Sequence, residues 1–399
     1  MAEIKNYLKE KEQRERNQTN YKDKIRRHKL TTVYRMLLVA AVIFAFFLLI
    51  RTQYRRHLYT DYDIVGTVSR EKAADAVDMR LQNAILTYSK DGAHCTNMKG
   101  TVTWNQTYEI SDILLSACQD VVAIGDYNGR NIYVQSAEKQ LGEITTNLPI
   151  KDITVSAAGT VTAILEDTDI TWINTYSATG KSLYDGQAHM SEGGYPCAIS
   201  LSPNGELLAV SYLYIEAGAL KTNVAFYNFG AVGANQSDYL VSTFAYENLL
   251  VPEICFMNND TAFAVGDGQF MIYKGAQKPD LETLRFLEQE IQAVYYNEKY
   301  IGLVFPSDNA DAYYKLVVYN TTGNPVTDCY FDIDYRNIFF TQDNFVIYNE
   351  TECLIMTMDG VCKYQGHFDK PVNLMLPAAS GRYRYVLVTD NSIDTIQLK

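Results

Sequence analysis

The stretch Pro196–Gly218, PCAISLSPNGELLAVSYLYIEAG, contains two apolar runs that are separated by a short polar turn. The first run is Ala198–Leu201 and the second is Leu207–Ile215, and both are rich in residues that favour β-strands. Between them lies Ser202-Pro203-Asn204-Gly205, in which the Asn-Gly pair is a strong signal for a tight turn. The stretch therefore predicts a β-hairpin.

Strand-like runs of the same kind recur along the chain beyond residue 80. They form units that begin near residues 84, 111, 148, 194, 250, 291, 334 and 371, and a period of about 40 residues is typical of the four-stranded blades of a β-propeller. Helical periodicity is nearly absent, and its best candidate is the short segment Asp280–Glu290. The sequence therefore predicts an all-β fold, a β-propeller with eight blades. Seven blades remain open as an alternative, because the first and last units are incomplete.

An early strand supports the count of eight. Tyr62–Arg70, YDIVGTVSR, alternates apolar and polar residues and could form the outermost strand of the last blade, beside Ser392–Leu398. Such a closure would join the two ends of the ring and leave few exposed strand edges.

Several motifs resemble those of known propellers. SLSPNGELLAVS resembles the inner hairpin of cytochrome-type and tryptophan-aspartate repeat propellers, and KGTVTWNQTYEI, with Gly100 and Trp104, resembles the blade motif of quinoprotein-like propellers. The runs LPIKDITVSAAGTVTAILED, GYPCAISLSPNGELLAVSYLY and NVAFYNFGAVG resemble an uncharacterised family of bacterial single-pass membrane proteins with an exported propeller. This resemblance covers most of the chain and implies an architecture but no activity.

A membrane segment precedes the strands. Met36–Ile50 has no polar side chain, and Val33–Tyr54 is long enough to cross a bilayer. A cleaved signal peptide is the alternative, but no small-residue cleavage site follows the apolar run, so we expect an uncleaved signal-anchor. Basic residues are more numerous before the segment than after it, which predicts a cytoplasmic N-terminus. The expected organisation is a basic cytoplasmic tail at 1–32, a transmembrane helix at 33–54, a linker at 55–80 and an extracytoplasmic propeller at 81–399.

The charge of the chain is divided sharply. Residues 1–56 carry 14 Lys/Arg and 5 Asp/Glu, whereas the rest of the chain carries 21 Lys/Arg and 42 Asp/Glu. An acidic main body argues against a nucleic-acid partner, because binding to phosphates requires a basic surface.

No catalytic or cofactor motif is complete. Ala178–Ser182, ATGKS, ends like a phosphate-binding loop, but Thr175 stands where its first glycine is required. The chain contains no HExxH and no GxSxG motif. Among the histidines beyond the membrane segment, His94, His189 and His367 fall in different units, so a zinc site would require them to converge at the ring axis. We therefore expect no cofactor, no metal and no enzymatic activity.

The seven cysteines form no CxxC pair, and most lie in strand-like runs where cysteine acts as a small apolar residue. In an exported domain two disulfides are candidates. One would join Cys95 to Cys118 in neighbouring units, and the other would join Cys353 to Cys362 across one hairpin.

One surface is a candidate for partner binding. It comprises five residues of the fourth unit, which is the longest and carries an insertion at Gly230–Asp238: Tyr212, Tyr214, Lys221, Asn223 and Tyr227. Insertions in propellers tend to map to one rim, often the binding rim. Packing between blades is the alternative role of these tyrosines.

Two functions remain open at this point. The first is a membrane-anchored, non-catalytic scaffold that binds a protein or a cell-envelope partner. The second is an exported enzyme or small-ligand receptor with its site in the central channel. Convergent charged or histidine side chains in the channel would favour the second, and a plug of small apolar side chains would favour the first.

Overall fold

The computed structural model of the chain describes residues 2–167, 170–188 and 194–399. It divides into two compact units, residues 1–58 and residues 59–399. The first unit contains one long helix, α1 (Ala2–Arg55). The second contains eight antiparallel sheets of four strands each, which confirms the predicted all-β propeller with eight blades.

Helix α1 has 54 residues and is continuous through the predicted tail and the predicted membrane segment. Within it, Lys24–Leu49 has a mean hydropathy of 2.3 and is long and apolar enough to cross a membrane. The large apolar side chains described between Met36 and Leu49 are exposed. The length and composition of Lys24–Leu49 are compatible with a membrane anchor or with a signal sequence.

Each blade is a meander of four strands, and in blades 1 to 7 the strand order in the sheet follows the chain. The first strand after the helix is β1 (Tyr62–Ser69). Blade 1 begins with β2 (Val77–Leu81), β3 (Ala84–Ser89) and β4 (Gly92–Asn97). Blade 1 ends with β5 (Val102–Thr107), and blade 2 contains β6 (Ile113–Cys118), β7 (Val121–Asp126), β8 (Asn131–Ser136) and β9 (Gln140–Thr145). Blade 3 contains β10 (Ile150–Val155), β11 (Val161–Glu166), β12 (Thr171–Tyr176) and β13 (Ser182–Ala188). Blade 4 contains β14 (Tyr195–Leu201), β15 (Leu207–Glu216), β16 (Ala219–Asn228) and β17 (Leu240–Glu247).

The remaining blades repeat this arrangement. Blade 5 contains β18 (Glu253–Phe256), β19 (Thr261–Gly266), β20 (Gln269–Lys274) and β21 (Asp280–Phe286). Blade 6 contains β22 (Ala293–Tyr296), β23 (Tyr300–Pro306), β24 (Tyr314–Asn320) and β25 (Pro325–Phe331). Blade 7 contains β26 (Asn337–Phe340), β27 (Asn344–Tyr348), β28 (Glu352–Thr357) and β29 (Cys362–His367), and blade 8 contains β30 (Leu374–Pro377), β31 (Arg384–Val388) and β32 (Ser392–Leu398).

The early strand β1 completes blade 8. It pairs antiparallel with β32, and its register runs from Tyr62 opposite Leu398 to Ser69 opposite Ser392. The predicted closure of the ring by this segment is thus the one that the structure contains. Further backbone hydrogen bonds fix both ends of the pairing, from Lys399 N to Asp61 O at 2.9 Å and from Arg70 N to Asn391 O at 3.0 Å.

The hairpin of Pro196–Gly218 forms as predicted. Residues of β14 and β15 pair across the turn, with Leu201 opposite Leu208. Gly205 has φ +73, a left-handed conformation that glycine adopts without steric cost. Its N–H donates to Ser202 O at 2.8 Å, and the Ser202 hydroxyl accepts from Leu207 N at 2.9 Å. The core lies in layers between neighbouring blades, and Leu207 and Phe226 of blade 4 pack with Ile254 and Met271 of blade 5.

Two boundaries differ from the sequence-based expectations. Asp280–Glu290 is not a helix, because Asp280–Phe286 forms the outer strand of blade 5 and pairs with β20. The segment 55–80 was predicted as a linker with a ring-closing strand, which is β1, and its end also supplies part of blade 1, whose inner strand begins at Val77.

The meander gives the propeller two distinct faces. We call the upper face the one formed by the connections between the second and third strands of each blade and by the connections between blades. The lower face carries the connections between the first and second strands and between the third and fourth strands.

Candidate functional site

Three apolar side chains stand out on the upper face of consecutive blades. Ile215 of blade 4, Phe286 of blade 5 and Tyr313 of blade 6 are 75%, 75% and 74% exposed, and they are the three most exposed large apolar residues in the described part of the propeller. Single exposed apolar residues are common on protein surfaces, and these three are notable because they lie on the same face of consecutive blades. We call these three residues the upper apolar triad.

A long hairpin carries Ile215. Strands β15 and β16 have ten residues each, whereas the middle strands of the other blades have five to seven. The pairing extends to Glu216 opposite Ala219. Ala217 and Gly218 have φ +51 and +81, which is the geometry of a two-residue hairpin turn. Four additional residues at about 3.3 Å per residue project this hairpin roughly 13 Å beyond its neighbours.

The backbone around the other two members of the triad is well anchored. Phe286 is the last residue of β21 and lies opposite Gln269. Tyr313 lies in the connection before β24, where its N–H donates to the Asp332 carboxylate at 3.0 Å. Its carbonyl accepts from Ser307 N at 3.0 Å. These contacts fix the backbone at both positions, and the two side chains remain exposed.

The charge around the triad is acidic. Lys221 lies between Glu216, at 2.8 Å, and Glu247, at 3.3 Å, and hydrogen bonds to these carboxylates raise the pKa of its ammonium group. Six further carboxylates lie on the upper connections of blades 5 and 6 and form no ion pair with any residue that the structure describes: Asp267, Glu288, Glu290, Asp311, Asp332 and Asp334. The surface therefore offers apolar anchors in a negative field.

The residues nominated from the sequence divide into two groups. Tyr212 is only 8% exposed, and its hydroxyl lies 2.8 Å from that of Tyr227, within the layer between blades 3 and 4. Burial raises the pKa of both hydroxyls. The assignment of Tyr212 to a binding surface is therefore wrong, because the blade interface covers it, and Tyr227 packs beside it.

The other nominees lie nearer to the surface. Tyr214 and Lys221 are partly exposed and lie opposite each other in the projecting hairpin. Their pair lies two residues before the last pair of the hairpin, Glu216 with Ala219. Asn223 lies further down the same strand, where it accepts a hydrogen bond from the Thr243 hydroxyl. Sequence reasoning found this hairpin but missed Phe286 and Tyr313. Phe286 lies in the segment that was the best candidate for a helix, so its position at the end of a strand was not foreseen, and Tyr313 lies in a connection without a local signal.

The central channel opens on the lower face into a pocket of about 510 Å³. Its lining comes from six blades and mixes apolar, amide and charged side chains, including Arg80, Glu298 and Lys299. Gln119 of blade 2 donates to the Glu298 carboxylate of blade 6 at 3.5 Å, so a hydrogen bond crosses the axis between opposite blades. The lining is neither a convergent set of catalytic groups nor an apolar plug. The channel therefore favours neither the scaffold nor the enzyme or small-ligand receptor.

All seven cysteines are free thiols. Burial raises the pKa of every one of them, to about 12 for Cys255 and Cys329. A raised pKa lowers the fraction of thiolate at neutral pH, and thiolate is the nucleophilic form of cysteine.

The two predicted disulfide pairs are not brought together. Cys353 lies opposite Gly366 and Cys362 lies opposite Met356, an offset of three residues in one hairpin. Such an offset separates the two Cα atoms by about 10 Å along the strands, which is beyond disulfide range. Cys95 packs in the layer between blades 1 and 2, whereas Cys118 contacts the layer between blades 2 and 3.

Metal-binding geometry is also absent from the residues that the structure describes, where no three His, Cys, Asp or Glu side chains converge. His94 lies in blade 1 and His367 in blade 7. The third histidine of the candidate zinc site, His189, lies outside the described residues.

One carboxylate on the upper face is partly buried. Glu253 lines a crevice of about 370 Å³ between blades 5 and 6, together with Asp267 and Glu290. Burial raises its pKa above the ordinary value of 4.5. A raised carboxyl pKa means that Glu253 favours the folded state at low pH, and this contribution is lost as the pH rises through the folded-state pKa.

We therefore expect Glu253→Gln to raise the Tm of the full chain at pH 7 by about 1–3 °C and to have little effect near pH 4. Differential scanning calorimetry at both pH values measures this, with Glu288→Gln as the control for loss of an exposed charge. Equal shifts in Tm for the two variants at pH 7 would show that burial of Glu253 has no effect of its own.

Solved structures with this fold are similar to the chain over most of its length. The crystal structure of BamB from Moraxella catarrhalis matches 85% of this chain and 100% of its own, with 10% identity and a TM-score of 0.50. The crystal structure of Sqt1 from Chaetomium thermophilum matches 85% of this chain and 100% of its own, with 12% identity and a TM-score of 0.51. At such low identity these likenesses support the propeller fold alone.

Sequence similarity assigns the chain to a family but not to an activity. No curated protein matches it significantly. Residues 53–398, which include the whole of the propeller from β1 to β32, match a family of unknown function. The chain therefore belongs to the family of unknown function DUF5711.

Proposed function

We propose that this protein is a membrane-tethered, non-catalytic scaffold that binds a protein partner through the upper face of blades 4 to 6. The observation that supports it is the upper apolar triad, three highly exposed side chains on consecutive blades. Exposed apolar residues with a polar rim are typical of protein interfaces, and aromatic residues are enriched among their energetic anchors.

The charge around the triad indicates the chemistry of the partner. Acidic residues outnumber basic ones on these connections, and Lys221 is already neutralised by Glu216 and Glu247. A complementary partner would present apolar sockets for the triad and a surrounding surface rich in Lys and Arg. Opposite charges would raise the rate of association, and salt would weaken it.

The membrane topology is part of the same proposal. The N-terminal flank of the apolar segment has Lys22, Lys24, Arg26, Arg27, Lys29 and Arg35, against Arg51, Arg55 and Arg56 on the other side. This asymmetry favours a cytoplasmic N-terminus and an extracytoplasmic propeller. We expect a tag fused after Lys399 to be removed when intact cells that lack an outer barrier are treated with protease. A tag that is digested only after lysis would place the propeller in the cytoplasm.

A change confined to the triad tests the binding surface. We expect Ile215→Ser, Phe286→Ser and Tyr313→Ser together to dissociate a higher-mass assembly of the full chain, because loss of two or three anchors removes several kcal/mol of binding energy, roughly 2 kcal/mol each. Native gel electrophoresis of membranes solubilised in mild detergent measures the assembly. The matched control is the lower-face triple variant Val102→Ser, Leu281→Ser and Val326→Ser, which should leave the assembly intact. Dissociation by both triples, or by neither, would contradict the proposal.

A small-ligand receptor is the second candidate, because the axial pocket of about 510 Å³ has the size and mixed lining of a ligand site. The receptor and the scaffold differ in the expected effect of a substitution in the channel. Replacement of Glu298 by Gln, at the crossing contact with Gln119, would impair a receptor but leave the scaffold assembly unchanged.

A further inference from the structure

A second pocket lies at the lower outer rim, where blades 3 and 4 meet. It has a volume of about 470 Å³ and is lined by the first residues of β13 and by the insertion of blade 4: Ser182, Leu183, Tyr184, Asp185, Asp238 and Tyr239. It lies on the opposite face from the upper apolar triad, so it is independent of the proposed scaffold function.

Aromatic rings form the walls of this pocket. The ring centroids of Tyr184 and Tyr239 are 5.7 Å apart, and the two rings are nearly perpendicular at 82°. Phe229 packs against both rings, with its centroid 5.3 Å from that of Tyr184 and 6.0 Å from that of Tyr239. Because Tyr184 and Tyr239 both line the void, a cation bound there would lie beside two aromatic rings, whose faces are electron-rich.

Two carboxylates complete the lining. Asp185 accepts a hydrogen bond from the Ser182 hydroxyl at 2.9 Å, and Asp238 accepts one from the Ser237 hydroxyl at 3.2 Å. Neither forms an ion pair with a residue in the described part of the chain, and no Lys or Arg lines the pocket. Burial raises the pKa of the Tyr184 hydroxyl, and the nearby Tyr227 and Asp238 raise it further. The hydroxyl is therefore neutral at physiological pH.

The chain is built to hold these groups in place. The connection between β16 and β17 has eleven residues, 229–239, whereas the corresponding connections of the other blades have three to five. Asn228, which is 2% exposed, anchors its start by donating to Gln277 O at 2.7 Å and by accepting from Gly230 N at 2.7 Å. At its end, Asp238 and Tyr239 have φ +55 and +61, a left-handed conformation that is uncommon outside glycine.

The position of Tyr184 depends on Gly186 in the same strand. A Cβ atom at Gly186 would lie 2.5 Å from the Tyr184 hydroxyl and 2.6 Å from its ring. Glycine at this position allows the ring to lie along the strand, at the edge of the pocket, instead of extending into solvent.

We propose that this pocket binds an organic ammonium cation. The aromatic surfaces provide cation–π attraction and the two carboxylates provide charge, and both attract the ammonium group of an organic cation. A metal ion fits the pocket poorly, because calcium requires six to eight oxygen ligands and magnesium keeps an octahedral set. The ammonium group can come from a small quaternary amine or from a lysine side chain of a polypeptide, and the test separates these sources.

Calorimetric titration of the full chain in a maltoside detergent and phosphate buffer tests the proposal, since neither component carries an ammonium group. The probes are choline, the neutral isostere 3,3-dimethylbutan-1-ol, and N-acetyl-lysine amide. We expect saturable binding of at least one of the two cations and none of the neutral isostere. The cation that binds more tightly identifies the source.

Variants connect the binding to this pocket. We expect Tyr239→Leu to weaken binding about 10-fold and Tyr239→Phe to preserve it, because only the former removes the aromatic ring. Asp185→Asn and Asp238→Asn should weaken binding and reduce its dependence on salt. The matched controls are Tyr127→Leu and Asp91→Asn, at exposed residues on the upper connections of blades 2 and 1, which should bind like the unaltered chain. Absence of saturable binding by both cations, or binding that survives Tyr239→Leu in a variant of unchanged Tm, would overturn the proposal.

Discussion

Deletion of residues 61–69 is expected to abolish cooperative folding of the propeller. The deletion removes β1 and with it seven residue pairs with β32. It also removes the ion pairs of Lys399 with Asp63, at 2.6 Å, and with Asp61, at 3.5 Å. At about 1 kcal/mol of net stabilisation per hydrogen bond, the loss approaches the roughly 5–15 kcal/mol that stabilise a typical domain. The exposed edge of β32 would in addition promote aggregation.

Thermal unfolding of the full chain and of the deletion variant, followed by circular dichroism, measures this loss. The control restores the strand at a new place in the chain, with residues 59–70 appended after Lys399 through a short linker. Because Tyr62 lies opposite Leu398, the appended strand can form an ordinary hairpin with β32. We expect this variant to regain most of the Tm. A deletion variant that still unfolds in one transition within about 5 °C of the intact chain would show that the closure is dispensable.

Alkaline pH is expected to unfold the propeller in a cooperative transition. Burial raises the pKa of many tyrosine hydroxyls above the ordinary value of 10.0, among them those of Tyr212, Tyr273 and Tyr348, which are 8%, 0% and 1% exposed. A group whose pKa is raised by folding stabilises the folded state below its unfolded pKa, and this contribution is lost as the pH rises toward its folded pKa. A tenfold difference in acid dissociation constant between the folded and unfolded chains corresponds to about 1.4 kcal/mol, so several such groups together exceed the stability of the domain above pH 10.

Absorbance at 295 nm, which reports tyrosinate, and near-ultraviolet circular dichroism, which reports packing, should therefore change together as the pH is raised. The variant Tyr212→Phe carries one buried hydroxyl fewer, so its transition should move to higher pH. The chain unfolded in guanidinium is the reference for tyrosines of ordinary pKa. Full ionisation near pH 10 with the near-ultraviolet signal preserved would contradict the burial of these hydroxyls.

The fold could be predicted from the sequence because each blade consists of strands and turns that are contiguous in the chain. Strand, turn and strand in Pro196–Gly218 are encoded by contiguous residues, and the alternation of Tyr62–Arg70 reports a strand whatever its partner is. The approximate period then predicted the blades. Asp280–Glu290 was the best candidate for helical periodicity because its acidic, leucine-containing pattern suits a helix, whereas the strand that it forms depends on the pairing of β21 with β20.

The candidate sites were harder to predict from the sequence, because they combine residues that are distant in the chain. Tyr212 and Tyr214 both lie in β15, but the layer between blades buries the first, and the projecting part of the hairpin carries the second. The upper apolar triad combines residues from three blades. The pocket at the lower outer rim combines residues of β13 with an insertion some fifty residues later in the chain. The sequence indicated the projecting hairpin, through Tyr214 and Lys221, and the insertion at Gly230–Asp238, which contributes Asp238 to the lower-face pocket.

The most direct test of the scaffold is site-specific photo-crosslinking in intact cells. A benzophenone amino acid is placed in the full chain at Ile215, Phe286 or Tyr313, and at Val102 as the control, an apolar lower-face residue that is 54% exposed. The proposed function predicts that the three upper positions form a crosslink to the same polypeptide, and that Val102 does not. Crosslinks of equal yield to that polypeptide from Val102, or no discrete crosslink from any of the three upper positions, would contradict it.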